Sequence, residues 1–205
     1  MVILISTLGG ALAAVKAGFR VAHVEAGLRA FDMSMPEEIN RRVVDHISHH
    51  LFAPTPSAVR NLQEERVLGR VFLTGDLHVA TLKRWLPIAE ERSRVLERLG
   101  LGGVRYAVVT LHRAENVDNV ERLRKLFLVR SLAEYLPVVF PMHPRTLRRV
   151  QEAGLQHLLS LYGVVVTNLL GYIDFVKLLN HSEMVLTDSD GVQRGLIYCV
   201  GRLCC

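Results

Sequence analysis

Two carboxylates, Glu25 and Glu37, flank a glycine-containing turn in the stretch His23 to Arg42, HVEAGLRAFDMSMPEEINRR. A β-branched run, Val21 to Val24, delivers Glu25 to its C-terminal end, and Pro36-Glu37-Glu38 opens a helix. In open α/β sheets, ligands bind beyond the carboxyl ends of the strands, so both acids can face one cleft and move protons there. A plainer reading of the same spacing pairs Glu25 with Arg29 and leaves Glu37 and Glu38 to complement the helix dipole. Farther along, His112 and Arg113 end a strand just before a helix, where helix-terminal amides favour a phosphate. Thr187-Asp188-Ser189-Asp190-Gly191 repeats that strand-to-helix pattern, and Ser189 with the Gly191 amide can hold phosphate oxygens. His143, in Met142-His143-Pro144-Arg145, also closes a strand, as a supporting contact or as a structural cap.

Other clusters carry less. His46, His49 and His50 fall at i, i+3 and i+4 beside Asp45, a spacing that can bind zinc, but no distant fourth ligand is evident and no metal site is assigned. The cysteines, Cys199, Cys204 and Cys205, crowd the last seven residues and match no zinc or redox motif. A reduced, cytoplasmic compartment is the default that follows.

The elements that must position these residues alternate. Val2 to Ile5 reads as a short buried strand and Gly9 to Gly18 as a helix. Val21 to Val24 is the next strand. The helix from Pro36 carries Ile39, Val43, Ile47 and Leu51 at helical spacing, then Leu51 to Ala53 forms a strand ended by Pro54. Thr55 caps a helix running to about Leu68, Arg70 to Leu73 is a strand, and Gly75 to Leu77 begins another helix. A charged segment between Leu86 and Gly103 separates this unit from a second: strand Tyr106 to Leu111, helix Val117 to Tyr135, strand Val138 to Pro141, helix from Pro144, strand Val164 to Thr167, helix Tyr172 to Asn180, strand Met184 to Thr187. Such alternation specifies α/β units with parallel sheets. The expected organisation is a partial Rossmann-like domain over 1–86, a helical linker over 87–103 and a second, partial nucleotide-binding domain over 104–205.

Composition narrows the partners. The 205 residues carry a formal charge of +5, yet the only lysines are Lys16, Lys83, Lys125 and Lys177, the arginines are scattered and Trp85 is the sole tryptophan. No basic stripe with interleaved aromatics exists for a nucleic acid, whereas arginines suit the phosphates of a nucleotide. No uninterrupted apolar run approaches the length of a membrane span. Residues 1 to 15 have the apolar length of a signal-peptide core, but no basic residue precedes them, and they read instead as a strand leading into a helix.

The wording of five segments goes further. VEAGLR with PEEINRR, then Phe52-Ala53-Pro54-Thr55, Phe72-Leu73-Thr74-Gly75, Thr110-Leu111-His112-Arg113-Ala114-Glu115-Asn116 and Leu186-Thr187-Asp188-Ser189 resemble, in order, the non-hydrolysing UDP-N-acetylglucosamine 2-epimerase family. The resemblance runs from about residue 6 to about residue 193. It implies two Rossmann-like halves of the GT-B kind holding a UDP-sugar, and an isomerase without cofactor that inverts C2 through elimination of UDP to a glycal and re-addition. Carried over, Glu25 and Glu37 serve C2, His112 stabilises the departing diphosphate, and Arg113, His143, Ser189 and Gly191 support binding. Phe175, in LGYIDFVKLL, corresponds to the aromatic that packs on the uracil, though an aromatic on a helix's apolar face is more often core.

The sequence departs from the family in places. Asp190 stands at the first glycine of the Ser-Gly-Gly pattern, Gly195 replaces a glutamate that holds the ribose, and the third carboxylate, expected at Val2-Ile3, is absent. These departures, the lack of an N-terminal Gly-Thr-Arg-Pro-Glu turn and a divergent tail beyond Gln193 lead us to expect a truncated, impaired member, with both halves incomplete and the chain oligomeric or aggregation-prone alone. Its rivals are an inactive remnant that binds a nucleotide or a partner, and a GT-B glycosyltransferase. A transferase would need an acceptor site and has no reason to keep both VEAGLR and PEEINRR.

Overall fold

The computed structural model describes residues 2–111, 116, 132–156, 164–199 and 203–204. They form two compact units, Met1–Ala80 and Thr81–Cys205.

The first unit begins with α1 (Val2–Lys16). The expected strand over Val2 to Ile5 is therefore helical. Four consecutive apolar residues carry no period of their own, and here they extend the helix that Ser6 to Lys16 propagate. Three strands follow, β1 (Ala22–Val24), β2 (His50–Ala53) and β3 (Arg70–Leu73), all parallel in the order β1-β2-β3. Val24 pairs with Phe52, and Phe52 with Phe72. The crossovers are α2 (Pro36–Ile47) and α3 (Pro56–Glu64). Thr55 caps α3 as expected, its side chain accepting from the Ala58 amide at 3.1 Å. Leu51, Ala53, Ala58 and Leu62 form the core with Ala26.

Helix α2 departs from its sequence reading. Its buried residues are Glu38, Val44 and Asp45, whereas Ile39 is 43% exposed. The inward stripe is the charged one, 38, 41, 42, 45, which follows the helical repeat as faithfully as the apolar set does. Buried charge is tolerated only when paired, and the pairs are described below.

The second unit holds the greater part of α4 (Leu77–Arg92), then α5 (Val95–Arg98), β4 (Ala107–Thr110), β5 (Val138–Pro141), α6 (Pro144–Glu152), β6 (Val164–Thr167), α7 (Tyr172–Asn180), β7 (Met184–Thr187), α8 (Asp190–Cys199) and β8 (Leu203–Cys204). The helix expected over Val117 to Tyr135 lies almost wholly outside the described residues. The sheet is parallel in the order β6-β5-β4-β7-β8. β4 and β5 are buried along their whole length, as strands covered on both faces must be. Chain order grows outward from β4 through β5 to β6, then reverses to β7 on the other side. That reversal leaves a crevice at the carboxyl ends of β4 and β7, where such sheets take ligands.

Contacts from α7 fix the end of α4 and the turn after it. Buried Lys177 donates to the carbonyls of Glu90 and Ser93 at 2.9 and 3.0 Å. Asp174 takes the Ser93 hydroxyl at 2.6 Å and Arg98 at 2.7 Å, and these partners hold its carboxyl below the usual range. The phenol of Tyr106 donates to the Leu178 carbonyl at 2.7 Å, and burial pushes its ionisation upward.

Candidate functional site

In the first unit the site grows out of the turn that follows β1. Glu25 sits at φ +63°, a left-handed conformation that a residue with a Cβ adopts only under constraint. Gly27, at φ +79°, supplies the turn, and a Cβ there would run into the Ala58 carbonyl oxygen. The Ala26 amide donates to the Phe52 carbonyl at 3.1 Å, which ties the turn to the tip of β2. Asn61 donates to the Gly27 carbonyl at 2.9 Å, and the Gly27 amide donates to Asp45 Oδ2 at 3.1 Å.

Asp45 is the hub of a buried ionic network. Its carboxylate meets Arg29 at 2.8 Å and His23 Nδ1 at 2.6 Å. Arg29, with no exposed side-chain surface, also forks onto Glu65 at 2.8 and 2.6 Å. The alternative pairing of Glu25 with Arg29 is thereby corrected, because Arg29 turns inward to these two acids. Burial opposes its charge, but bonds to Glu65 and Asp45 prevail and raise its pKa. The Arg29 bond holds Glu65 below its ordinary value against burial, with Arg42 and His46 adding to it. Fully buried Glu38 accepts from the Ala30 amide at 2.9 Å and from Arg42 at 3.0 Å. Burial would raise its pKa, but these contacts, with Arg41 also nearby, lower it. Glu38 and Asp45 thus grip the loop between β1 and α2 from below. Glu37, one residue from Glu38, is partly exposed in the first turn of α2.

The three neighbouring histidines disperse. His46 approaches Glu65 at 3.7 Å, His49 Nδ1 accepts from the Val21 amide at 3.2 Å, and His50 stacks on Phe72. Among the described residues no three metal-binding side chains converge. Sequence reasoning passed over Arg29 as a network member, Asp45, Asn61 and Glu38. The available signal was the in-phase charged stripe of α2, which a solvent-facing reading hides.

In the second unit, Thr110 and Thr187 are register partners at the strand ends, with their hydroxyls 2.6 Å apart. The Ser189 amide donates to the Thr187 hydroxyl at 3.0 Å, so Thr187 shapes the turn into α8. Asn116 donates to Asp188 at 3.0 Å. Ser189 and Gly191 stand at the start of α8, both partly buried, at the reversal of strand order. His143 caps α6, accepting from the Arg145 amide at 3.2 Å. Phe175 packs, partly buried, against the core cluster of Val108, Leu178 and Val185. His112 and Arg113 lie outside the described residues. A Cβ on Gly195 would meet Leu82 at an ordinary 3.5 Å, so the backbone there has room for a side chain.

Residues 5–199 match the family model described as UDP-N-acetylglucosamine 2-epimerase. A UDP-N-acetylglucosamine 2-epimerase of Methanocaldococcus jannaschii is 43% identical over 92% of this chain and 53% of its own length. A UDP-2,3-diacetamido-2,3-dideoxy-D-glucuronate 2-epimerase of Pseudomonas aeruginosa is 39% identical over 97% of this chain and 54% of its own. The crystal structure of the Methanocaldococcus jannaschii enzyme with UDP-GlcNAc and UDP superposes with a TM-score of 0.80 at 42% identity, over 92% of this chain and 53% of that one. The chain spans about half the length of the curated relatives it matches.

Proposed function

The chain belongs to the UDP-N-acetylglucosamine 2-epimerase family, and from that premise we propose that it takes part in inverting C2 of UDP-N-acetylglucosamine to give UDP-N-acetylmannosamine. The C2 hydrogen leaves as a proton to one carboxylate, its electron pair forms the C1–C2 double bond of a glycal, and UDP departs with the C1–O pair. Re-addition of UDP with protonation from the other face completes the inversion. Glu25 and Glu37 are the proton-transfer groups. His112, Arg113, Ser189 and the Gly191 amide meet the diphosphate, His143 adds a supporting contact, and the uracil is assigned to the partly exposed side of Phe175. No cofactor or metal is required.

The observation that carries this reading is Glu25, held in a left-handed turn at a strand's carboxyl end by a buried network, with Glu37 opening the next helix. Asp190 and Gly195 weaken binding, since a carboxylate beside a phosphate repels it and a ribose-binding side chain is missing. Impaired turnover is the consequence. The similarity to a diacetamido-glucuronate epimerase makes that UDP-sugar the natural second substrate to assay. No helix among the described residues is long and apolar enough to cross a membrane, and we place the protein in the cytoplasm. Exposed Val24, Phe31, Met33 and Leu73 favour a homo-oligomer, which sedimentation would reveal. Proton NMR of UDP-N-acetylglucosamine with the protein tests the activity. Slow appearance of the manno epimer, lost in Glu25→Gln, is expected, and no epimer in the parent would overturn the reading.

A further inference from the structure

Helix α4 opens beside the turn that bears Glu25. His78 Nε2 lies 3.2 Å from Glu25 Oε1, with the two side chains 48% and 28% exposed. Surface pairs of this kind are commonly incidental, because two long side chains must be immobilised to form them. Here both backbones are fixed by bonds that do not involve the pair. The amides of His78 and Val79 donate to Asp76 Oδ1 at 2.7 and 3.3 Å, and the preceding segment is tied to β2 by the Thr74 amide on the Ala53 carbonyl at 2.9 Å. The Glu25 turn is fixed through Ala26, Gly27, Asp45 and Asn61. The two groups therefore converge with little further ordering, and nothing in the sequence reading used His78.

We propose that His78 is a positioning residue, whose Nε2–H donates to Glu25 Oε1 and fixes the direction in which that carboxylate addresses the sugar. A proton-transfer group that swings freely spends little time in line with the C–H bond it must break, and small misplacements reduce rates severely. The role in turnover rests on the epimerase reading. The pair itself does not.

The test separates the two. Long-range nitrogen-15 spectra of the intact chain report the state of His78 Nε2 without substrate. The Nε2 resonance is expected to move in Glu25→Gln and to stay in place in Asp32→Asn, and an unmoved resonance in Glu25→Gln overturns the pair whether or not the protein turns over. With UDP-N-acetylglucosamine, His78→Ala is expected to lower kcat about 10²-fold with KM unchanged, and His78→Gln, which keeps a donor, to recover most of the loss. An unchanged kcat in His78→Ala, or no recovery in His78→Gln, overturns the positioning role. A parent without turnover but with the nitrogen signature intact would sink the epimerase reading and leave the contact between His78 and Glu25 standing.

Discussion

At the scale of single residues, the buried carboxylate of Asp45 ties the turn after β1 to α2. Asp45 binds Arg29, His23 and the Gly27 amide at once. Removing one partner of a buried pair leaves the others uncompensated, at a cost of about 3–5 kcal/mol. Asp45→Ala is expected to lose stability on that scale in urea unfolding, and a loss below about 1 kcal/mol would mean that the network is ornamental. Glu38 and Glu65 supply a second test, through pH. Their folded pKa values lie below the ordinary one, so the unfolded chain binds more protons as pH falls below about 4.3. Their contribution is complete above that value and is lost as pH falls through the folded pKa. Glu65→Gln should therefore flatten the acid side of a plot of melting temperature against pH. An unchanged acid slope would contradict the assignment.

At the scale of elements, the turn after β1 and the face of α2 decide where Glu25 and Glu37 stand. Gly27→Ala places a Cβ at a positive φ and against the Ala58 carbonyl, so a loss of more than about 1 kcal/mol is expected in thermal unfolding. Thr55→Ala removes the cap of α3 and should cost about 0.5–2 kcal/mol. A neutral result in either would show that the local geometry is not what holds the turn. The strands β3, β5, β6 and β7 were legible to the residue, because short β-branched or apolar runs between turn signals have few alternatives. Val2 to Ile5 was not, since an apolar run without alternation suits a buried strand or a helix equally. The buried face of α2 was also hidden, because its charged and apolar stripes share the helical period and only the partners Arg29 and Glu65, far off in sequence, decide which turns inward. The candidate acids Glu25 and Glu37 were visible as a motif. The groups that hold Glu25 came from other elements and carried no motif.

At the scale of the whole molecule, each of the two units is built on a parallel sheet. At its strand ends the first carries Glu25, and the second carries the Thr110–Thr187 pair and the start of α8. The second is the one proposed to take the nucleotide phosphates, and the departures at Asp190 and Gly195 fall there. Titration calorimetry is expected to give UDP a weak heat that His112→Ala abolishes, and an unchanged titration would remove His112 from the site. The central claim, however, is chemical: carboxylates of the first unit exchange the proton at C2. It is tested most directly by incubating UDP-N-acetylglucosamine with the protein in deuterium oxide and following the C2 proton by NMR. Deuterium should enter at C2 at a rate proportional to protein, and Glu25→Gln or Glu37→Gln should slow it by about 10²- to 10⁴-fold. Exchange that is absent from the parent, or that persists undiminished in both variants, would contradict the claim.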